Sequence, residues 1–521
     1  MVSDDAQQAV FAFLADPATH RADLDRRAVK RIDTHAAVVF LAGDRALKVK
    51  RAVRFPFLDY STLDKRKAAC EAELAVNRTF APDIYRGVVA ITRETDGRFS
   101  LGGKGTPVEW AVDMRRFDEE ATLDCLADKH GIDLATAGAL AHVVAVAHET
   151  APVAEATPWL AALATYLDQN AAAFAEVPKL FPADAAQALD RASRVALARV
   201  TPLLEARGAR GLIRRGHGDL HLGNVALIDG KPVPFDAIEF DPLIATGDVL
   251  YDLAFLLMDL TERKLDAAAN VVLNRYLAEA RRDDDLDALA ALPLFISLRA
   301  SIRAKVTAAK IANVTPSERD GVASAAATYF RLAVASIAPP PPRLVAVGGL
   351  SGTGKSVLAR MLAPKLLPAP GAVILRSDVE RKALFGIAET EKLPAEAYAP
   401  EVTARVYAAL AAKAGRAVAA GHSALIDAVF ARADERASAA QAAKASGVPF
   451  RGLFLSADLD TRLARVGGRT RDASDADAKV ALAQESYAIG ALDWAEVDAS
   501  GSPDDTLARA EAALAGRTLT G

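Results

Sequence analysis

Two sets of residues in this 521-residue chain have the types and spacing to do chemistry on phosphate. The first is Gly349-Leu350-Ser351-Gly352-Thr353-Gly354-Lys355-Ser356, which fits GxxxxGK[ST] in full. Glycines let backbone N–H groups turn inward around phosphate oxygens, and a helix starting at the end of the loop adds a favourable dipole. Lys355 is expected to reach the β and γ phosphates of a nucleoside triphosphate, and Ser356 to ligate Mg²⁺. The pattern carries this meaning between a strand and a helix. Both flank it: Leu344–Val347 reads as a buried parallel strand and Val357–Leu362 as a helix.

Acid–base groups lie downstream of the loop. Val373-Ile374-Leu375 reads as the next strand and ends in Arg376-Ser377-Asp378; Ala424-Leu425-Ile426 reads as another and ends in Asp427. A carboxylate at the C-terminal end of a strand beside such a loop faces the ligand crevice. Asp378 is expected to take a proton from an acceptor hydroxyl, although an Asp ahead of Val379–Lys382 also suits a helix N-cap. Asp427 is expected to hold Mg²⁺-bound water or to orient the acceptor. Beyond the strand Gly452–Leu455, a helical stretch carries Arg462, Arg465 and Arg469. Arg465 and Arg469, four apart, share a helix face and suit clamping of phosphate in a lid.

The second set lies far upstream, in His217-Gly218-Asp219-Leu220-His221-Leu222-Gly223-Asn224. Asp219 and Asn224 are five apart, and twelve residues on, after the turn Asp229-Gly230, comes Val233-Pro234-Phe235-Asp236. Phosphoryl transfer needs a group to accept the acceptor's proton and oxygen ligands for a metal ion, and an Asp–Asn–Asp order at this spacing supplies both.

These motifs carry two resemblances. Residues 343–521 resemble the small-molecule P-loop kinases related to gluconate kinase and the zeta-toxin kinases. The match runs through the phosphate loop, Arg376-Ser377-Asp378 with Arg381, Ile426-Asp427-Ala428 and the pair Arg465 and Arg469. It implies Asp378 as base and the two arginines as stabilisers of the transferring phosphoryl group. Asp472-Ala473-Ser474-Asp475-Ala476 is similar to a lid segment of such proteins. Residues from about Ala36 to Ser336 resemble the aminoglycoside phosphotransferase superfamily, which includes choline and methylthioribose kinases and has a protein-kinase-like fold. That resemblance implies Asp219 as catalytic base and Asn224 and Asp236 as Mg²⁺ ligands. It also calls for a phosphate-gripping lysine on the strand Ala46–Lys50. Lys48 and Lys50 point to one face, because strand side chains alternate, and Lys48 is the choice. A partner glutamate belongs on the next helix, where Glu73 and Glu71 both qualify and Glu73 is the choice. Adenine should meet backbone near Arg115 to Phe117. No GxGxxG loop precedes Lys48; His35-Ala36-Ala37 occupies that region. His148, Asp248 and Asp252 read as structural support for the catalytic loop, and Glu239 and Asp241 as residues that line an acceptor site.

The elements that must position these groups divide the chain. Strand-like runs at Ala37–Ala42, Ala46–Val49, Tyr85–Thr92 and Val108–Met114, with a helix over about Leu63–Thr79, form a small β-rich lobe at about 30–117. A helical lobe follows at about 118–338, interrupted by Val225–Ile228 and Val233–Phe235. Pro339-Pro340-Pro341-Pro342 favours stiff polyproline II and marks a linker. The fold expected is a bilobal protein-kinase-like domain at 1–338, α+β in class, followed by an α/β P-loop domain with a parallel sheet at 343–521.

Composition narrows the functions further. Hydrophobic residues are 51% and charged residues 25%, an ordinary globular balance. The net charge of −4 lacks the basic stripe of a nucleic-acid binder. Cys70 and Cys125 are the two cysteines and form no ligand pattern, which argues against a disulfide framework or a zinc site. The acidic start MVSDDAQQAV is not laid out as a signal peptide, and no run approaches a membrane span, so a cytoplasmic protein is expected. The reading is a bifunctional kinase with two ATP–Mg²⁺ sites acting on small hydroxylated metabolites. The alternatives are one catalytic half gated by a nucleotide-binding half, a nucleic-acid 5′-hydroxyl kinase, and a protein kinase.

Overall fold

Side-chain alternation along the strand Arg45–Lys50 explains the N-terminal layer. Leu47 and Val49 are buried with Val10, Phe11 and Leu14 of the helix Asp4–Ala15, which puts Lys48 and Lys50 on the opposite face. The computed structural model describes residues 4–20, 29–55, 58–468 and 473–516. In it, Arg45–Lys50 belongs to a six-stranded antiparallel sheet of order Lys30–Asp33, Ala37–Ala42, Arg45–Lys50, Thr106–Arg115, Tyr85–Arg93, Phe99–Leu101. The strand Lys30–Asp33 and the helix Asp4–Ala15 add to the elements read from the sequence. The helix Leu63–Phe80, capped by Thr62 accepting from Lys65 N–H, buries Arg66, Cys70, Glu73 and Asn77 along one face. Those positions follow the helical repeat, so Glu73 and Asn77 stand one turn apart on the same side.

Helices predominate from Leu123 onward. Among them, Ile213–Arg215 leads into the segment 216–224, and the hairpin Val225–Ile228/Lys231–Pro234 turns at Asp229-Gly230, both at positive φ. The second strand ends at Pro234, one residue short of Phe235, where the sequence reading had carried it.

The parallel sheet has five strands in the order Val373–Arg376, Ala424–Asp427, Leu344–Gly349, Phe450–Ser456, Ala495–Asp498. All four pairings are parallel. Val345, Val347, Leu425, Leu453 and Leu455 pack with Leu358 and Leu362 of the helix Lys355–Leu362. Burial on both faces is why these strands read as unbroken apolar runs. The fold class is thus the one the sequence indicated: a β-rich lobe and helices, then a parallel-sheet P-loop region.

By backbone packing, Met1–Asp168 with Thr201–Asp259 form one compact unit, and Gln169–Val200 with Leu260–Gly521 form another. Within the second unit, the helix Asp266–Ala280 lies along the strand Val373–Arg376. Asn274 Oδ1 accepts from Ile374 N–H at 2.7 Å. Asn270 and Asn274 Nδ2 both donate to Ala372 C=O, at 3.0 and 3.1 Å. Among the described residues, no helix is long and apolar enough to cross a membrane.

Candidate active sites

In the first unit, a cavity of about 580 Å³ is lined by Lys48, Lys50, Asp219, Asp236 and Glu239 together with apolar groups that include Val39, Ile84, Met114 and Phe117. Lys48 Nζ stands 2.8 Å from Glu73 Oε1 and 2.5 Å from Asp236 Oδ1. Burial alone would lower its pKa, but Asp236 and Glu73 outweigh that and raise it well above the ordinary lysine value. Burial likewise would raise Glu73, yet Lys48 and Lys50 hold its carboxyl at about 2. Glu71, the other candidate, is largely exposed and pairs with Lys67. Lys50, set aside in favour of Lys48, is used as well: it contacts Glu73 Oε2 at 2.5 Å and pairs with Glu239. Glu239 also accepts from Tyr60 OH at 2.9 Å, so its carboxylate is engaged by the small lobe. Asp241 accepts from Leu243 N–H.

The segment that carries Asp219 is fixed from behind. Asp252 accepts from His217 N–H at 2.8 Å and Gly218 N–H at 2.9 Å, and lies 3.1 Å from His148 Nε2. Asp259 accepts from Leu222 N–H at 2.9 Å. Asp248 forms a buried bidentate pair with Arg207, at 2.6 and 2.9 Å. Burial pushes His217 below its ordinary value, and its Nε2–H donates to Phe235 C=O at 2.9 Å. Asn224 Nδ2 donates to both the backbone oxygen and Oδ2 of Asp219, at 3.0 and 3.1 Å. The amide oxygen of Asn224 is thereby turned away from Asp219. That oxygen and the 45%-exposed carboxylate of Asp236 are hard donors that fit Mg²⁺. Arg115, Arg116 and Phe117 line the same cavity, as do His35, Ala36 and Ala37 in place of a glycine loop.

In the second unit, the loop Gly349–Ser356 is shaped by its glycines at two points. A Cβ on Gly349, at φ 137°, would stand 2.6 Å from Leu455 O, and one on Gly352, at φ 89°, 2.5 Å from Arg462 O. Thr353 Oγ1 and Lys355 Nζ both donate to Leu350 C=O, at 2.9 and 3.0 Å. Ser356 Oγ donates to Asp427 Oδ2 at 2.6 Å, and Arg376 reaches both groups, at 3.1 and 3.3 Å. A hydroxyl beside a carboxylate at a phosphate loop again fits Mg²⁺, which binds through one or two protein oxygens plus phosphate and water. Among the described residues, no group of three or more His, Cys, Asp and Glu forms a metal cluster, and neither centre needs one.

Asp378 is in the first turn of the helix Ser377–Leu384; its N-cap is Arg376. Its carboxylate is therefore not spent as the cap. Desolvation first, then Asp427, push its pKa above the ordinary aspartate value, while Arg376 and a hydrogen bond with Ser474 oppose them. Arg465 donates to Ala499 C=O and Gly501 C=O, at 2.8 and 2.9 Å. Its Nη1 would lie 3.9 Å from a Cβ on Gly354, which keeps it beside the phosphate loop. The helix that carries it ends at Gly467, and Arg469 lies outside the described residues, as does Asp472.

Several contacts at these centres escaped the sequence reading, including those of Arg462 and Asp475, which it named without partners. Arg462, buried, donates to Ser351 C=O at 2.9 Å and Ala481 C=O at 3.1 Å and pairs with Glu485; Gln484 Oε1 accepts from Ser351 N–H at 2.6 Å. Asp475 gathers Leu393 N–H, Tyr398 OH and Lys382 Nζ, at 3.0, 2.8 and 3.1 Å. Asn77 and Tyr85 hold backbone next to Asp236. Most act on main-chain atoms, which leave no motif; burial at helical spacing, as at Glu73 and Asn77, is the one available signal.

Residues 344–488 match the family model described as an AAA domain, a range that takes in the phosphate loop, Asp378, Asp427 and Arg465. An uncharacterised protein of Mycobacterium tuberculosis strain H37Rv, Rv2004c, is 29% identical over 489 residues, 92% of either chain. Among solved structures, a gluconokinase from Sinorhizobium meliloti 1021 is 20% identical, over 34% of this chain and 93% of its own, with a TM-score of 0.25. A choline kinase from Cryptosporidium parvum Iowa II is 10% identical, over 63% of this chain and 95% of its own, with a TM-score of 0.40, and its match lies in the N-terminal region.

Proposed function

We propose that this chain is a bifunctional ATP-dependent phosphotransferase with two ATP–Mg²⁺ sites, one in residues 1–338 and one in 343–521, joined by Pro339–Pro342. Each transfers a γ-phosphoryl group to a hydroxyl of a small molecule. The observation that carries the reading is a repeated set: each centre has a lysine, a pair of oxygen ligands suited to a divalent cation, and a further aspartate.

At the N-terminal centre, Lys48, oriented by Glu73, grips phosphate oxygens, and Asn224 and Asp236 hold Mg²⁺. Asp219 accepts the proton of the acceptor hydroxyl as the hydroxyl oxygen bonds to the γ-phosphorus and the bond to the β–γ bridging oxygen breaks, releasing ADP. At the other centre, the backbone of Gly349–Gly354 and Lys355 hold the phosphates, Ser356 and Asp427 hold the cation, and Asp378 accepts the proton. Its raised pKa makes Asp378 a better base than an ordinary aspartate near neutral pH. Arg465, and Arg469 by resemblance, stabilise charge on the transferring group. When bound, Mg²⁺ would supply positive charge against the charge that develops during transfer, so catalysis rests on positioning and electrostatics.

The test is ATP turnover against a metabolite library by Asp219→Ala and Lys355→Ala separately. Each substitution is expected to cut the formation of a different product by about 10²-fold or more. If Asp219→Ala leaves every product unchanged, the N-terminal centre is not a kinase; if neither matters, both assignments fail.

A further inference from the structure

We propose that Asn77 and Tyr85 are positioning residues that hold Asp236 in the backbone conformation from which its carboxylate meets Lys48 and the cation; this rests on the reading of Asp236 as a cation ligand. Asp236 has φ 62°, in the left-handed region that a residue with a side chain seldom adopts unless its surroundings impose it. Two buried side chains impose it here. Tyr85 OH accepts from Asp236 N–H at 3.1 Å. Asn77 Oδ1 accepts from the next amide, Ala237 N–H, at 2.8 Å, and Asn77 Nδ2 donates back to Ala237 C=O at 3.3 Å. One amide side chain thus pairs with both backbone polar groups of the residue that follows Asp236.

The arrangement also links the cation site to the helix Leu63–Phe80. Asn77 stands one turn after Glu73, and its Nδ2 donates to Glu73 C=O at 3.0 Å. Glu73 holds Lys48, and Lys48 holds Asp236. The path from the Asp236 carboxylate through Lys48 and Glu73 to the helix, and back through Asn77 to the Ala237 backbone, is closed. A helix displaced by about one residue rise, ~1.5 Å, would release both ends at once. Seating of this helix and the geometry of the cation ligand are therefore one event, and side chains that touch neither nucleotide nor metal set it.

The test measures affinity for a non-hydrolysable ATP analogue with and without Mg²⁺, in the full chain carrying Lys355→Ala to silence the other centre. Tyr85→Phe, which removes one oxygen, is expected to reduce the Mg²⁺-dependent gain in affinity by about 10-fold or more while leaving metal-free affinity unchanged. Asn77→Leu should do the same, and Asp236→Asn should abolish the gain. Added to Asp236→Asn, Tyr85→Phe should cost nothing further. Hydrogen exchange at the Asp236 amide should quicken in Tyr85→Phe. A full Mg²⁺-dependent gain in Tyr85→Phe, beside its loss in Asp236→Asn, overturns the positioning role alone. A full gain in Asp236→Asn removes the cation-ligand reading and the positioning role with it.

Discussion

Glu73 has no solvent exposure and faces two ammonium groups, Lys48 at 2.8 Å and Lys50 at 2.5 Å. Its folded pKa of about 2 lies below the ordinary 4.5, so its stabilising share is complete above 4.5 and is lost as pH falls toward 2. Glu73→Gln leaves two buried cations short of an anion. It is expected to destabilise the first unit by about 3 kcal/mol, read by thermal unfolding, and to weaken nucleotide binding. His422 titrates in another window. Burial lowers it from 6.5 to about 4 while its Nε2–H donates to Gly371 C=O at 2.7 Å. The unfolded chain then binds the proton first, so stability is complete above 6.5 and falls by about 3 kcal/mol as pH drops toward 4. His422→Gln should remove that part of the pH dependence, and denaturant titrations near neutral and near the folded value would show it. The sequence made some of this legible. Alternation put Lys48 and Lys50 on one face, but it could not divide labour between them, because the division depends on Glu73 and Glu239 arriving from distant segments. Glu73 was preferred to Glu71 on the sequence, and in the structure Glu73 lies on the buried side of the helix while Glu71 is exposed.

At the scale of elements, the helix Val249–Glu262 is the support of the Asp219 segment. Through Asp252 and Asp259 it accepts three backbone N–H groups of residues 217–222. Asp252→Ala strands two of those donors in the interior. The expected cost is about 3 kcal/mol, together with slower turnover at the N-terminal centre and little change in ATP affinity, since Lys48 and Glu73 are untouched. Thermal unfolding paired with steady-state kinetics distinguishes this from a change in nucleotide binding. Of these two carboxylates, Asp252 could be read from the sequence as a brace, with Asp248 ahead of the helix, because a buried charge requires partners; Asp259 was not singled out. The strand–loop–helix at Gly349 was equally legible, since glycine spacing and an apolar run are local properties. The order of the five parallel strands was not, because pairing is decided by contacts remote in sequence.

At the scale of the whole molecule, the two motif sets fall in different compact units, and a stretch of helices ahead of the proline run packs with the parallel sheet. No sequence pattern announces that association. Asn270 and Asn274 look like ordinary polar helix positions, yet their amides occupy Ile374 N–H on the outermost strand and Ala372 C=O just ahead of it. An amide side chain laid against a strand mimics a neighbouring peptide group, and it denies that edge to any other chain. Cut away from the helix Asp266–Ala280, a fragment of residues 343–521 would present an apolar, unpaired edge able to recruit a second copy. Such a fragment is expected to self-associate with rising concentration in sedimentation experiments while the full chain does not; a fragment that stays monomeric throughout would show that the edge needs no guard. If the fragment does associate, the two asparagines keep a sticky border from becoming a nucleus for aggregation.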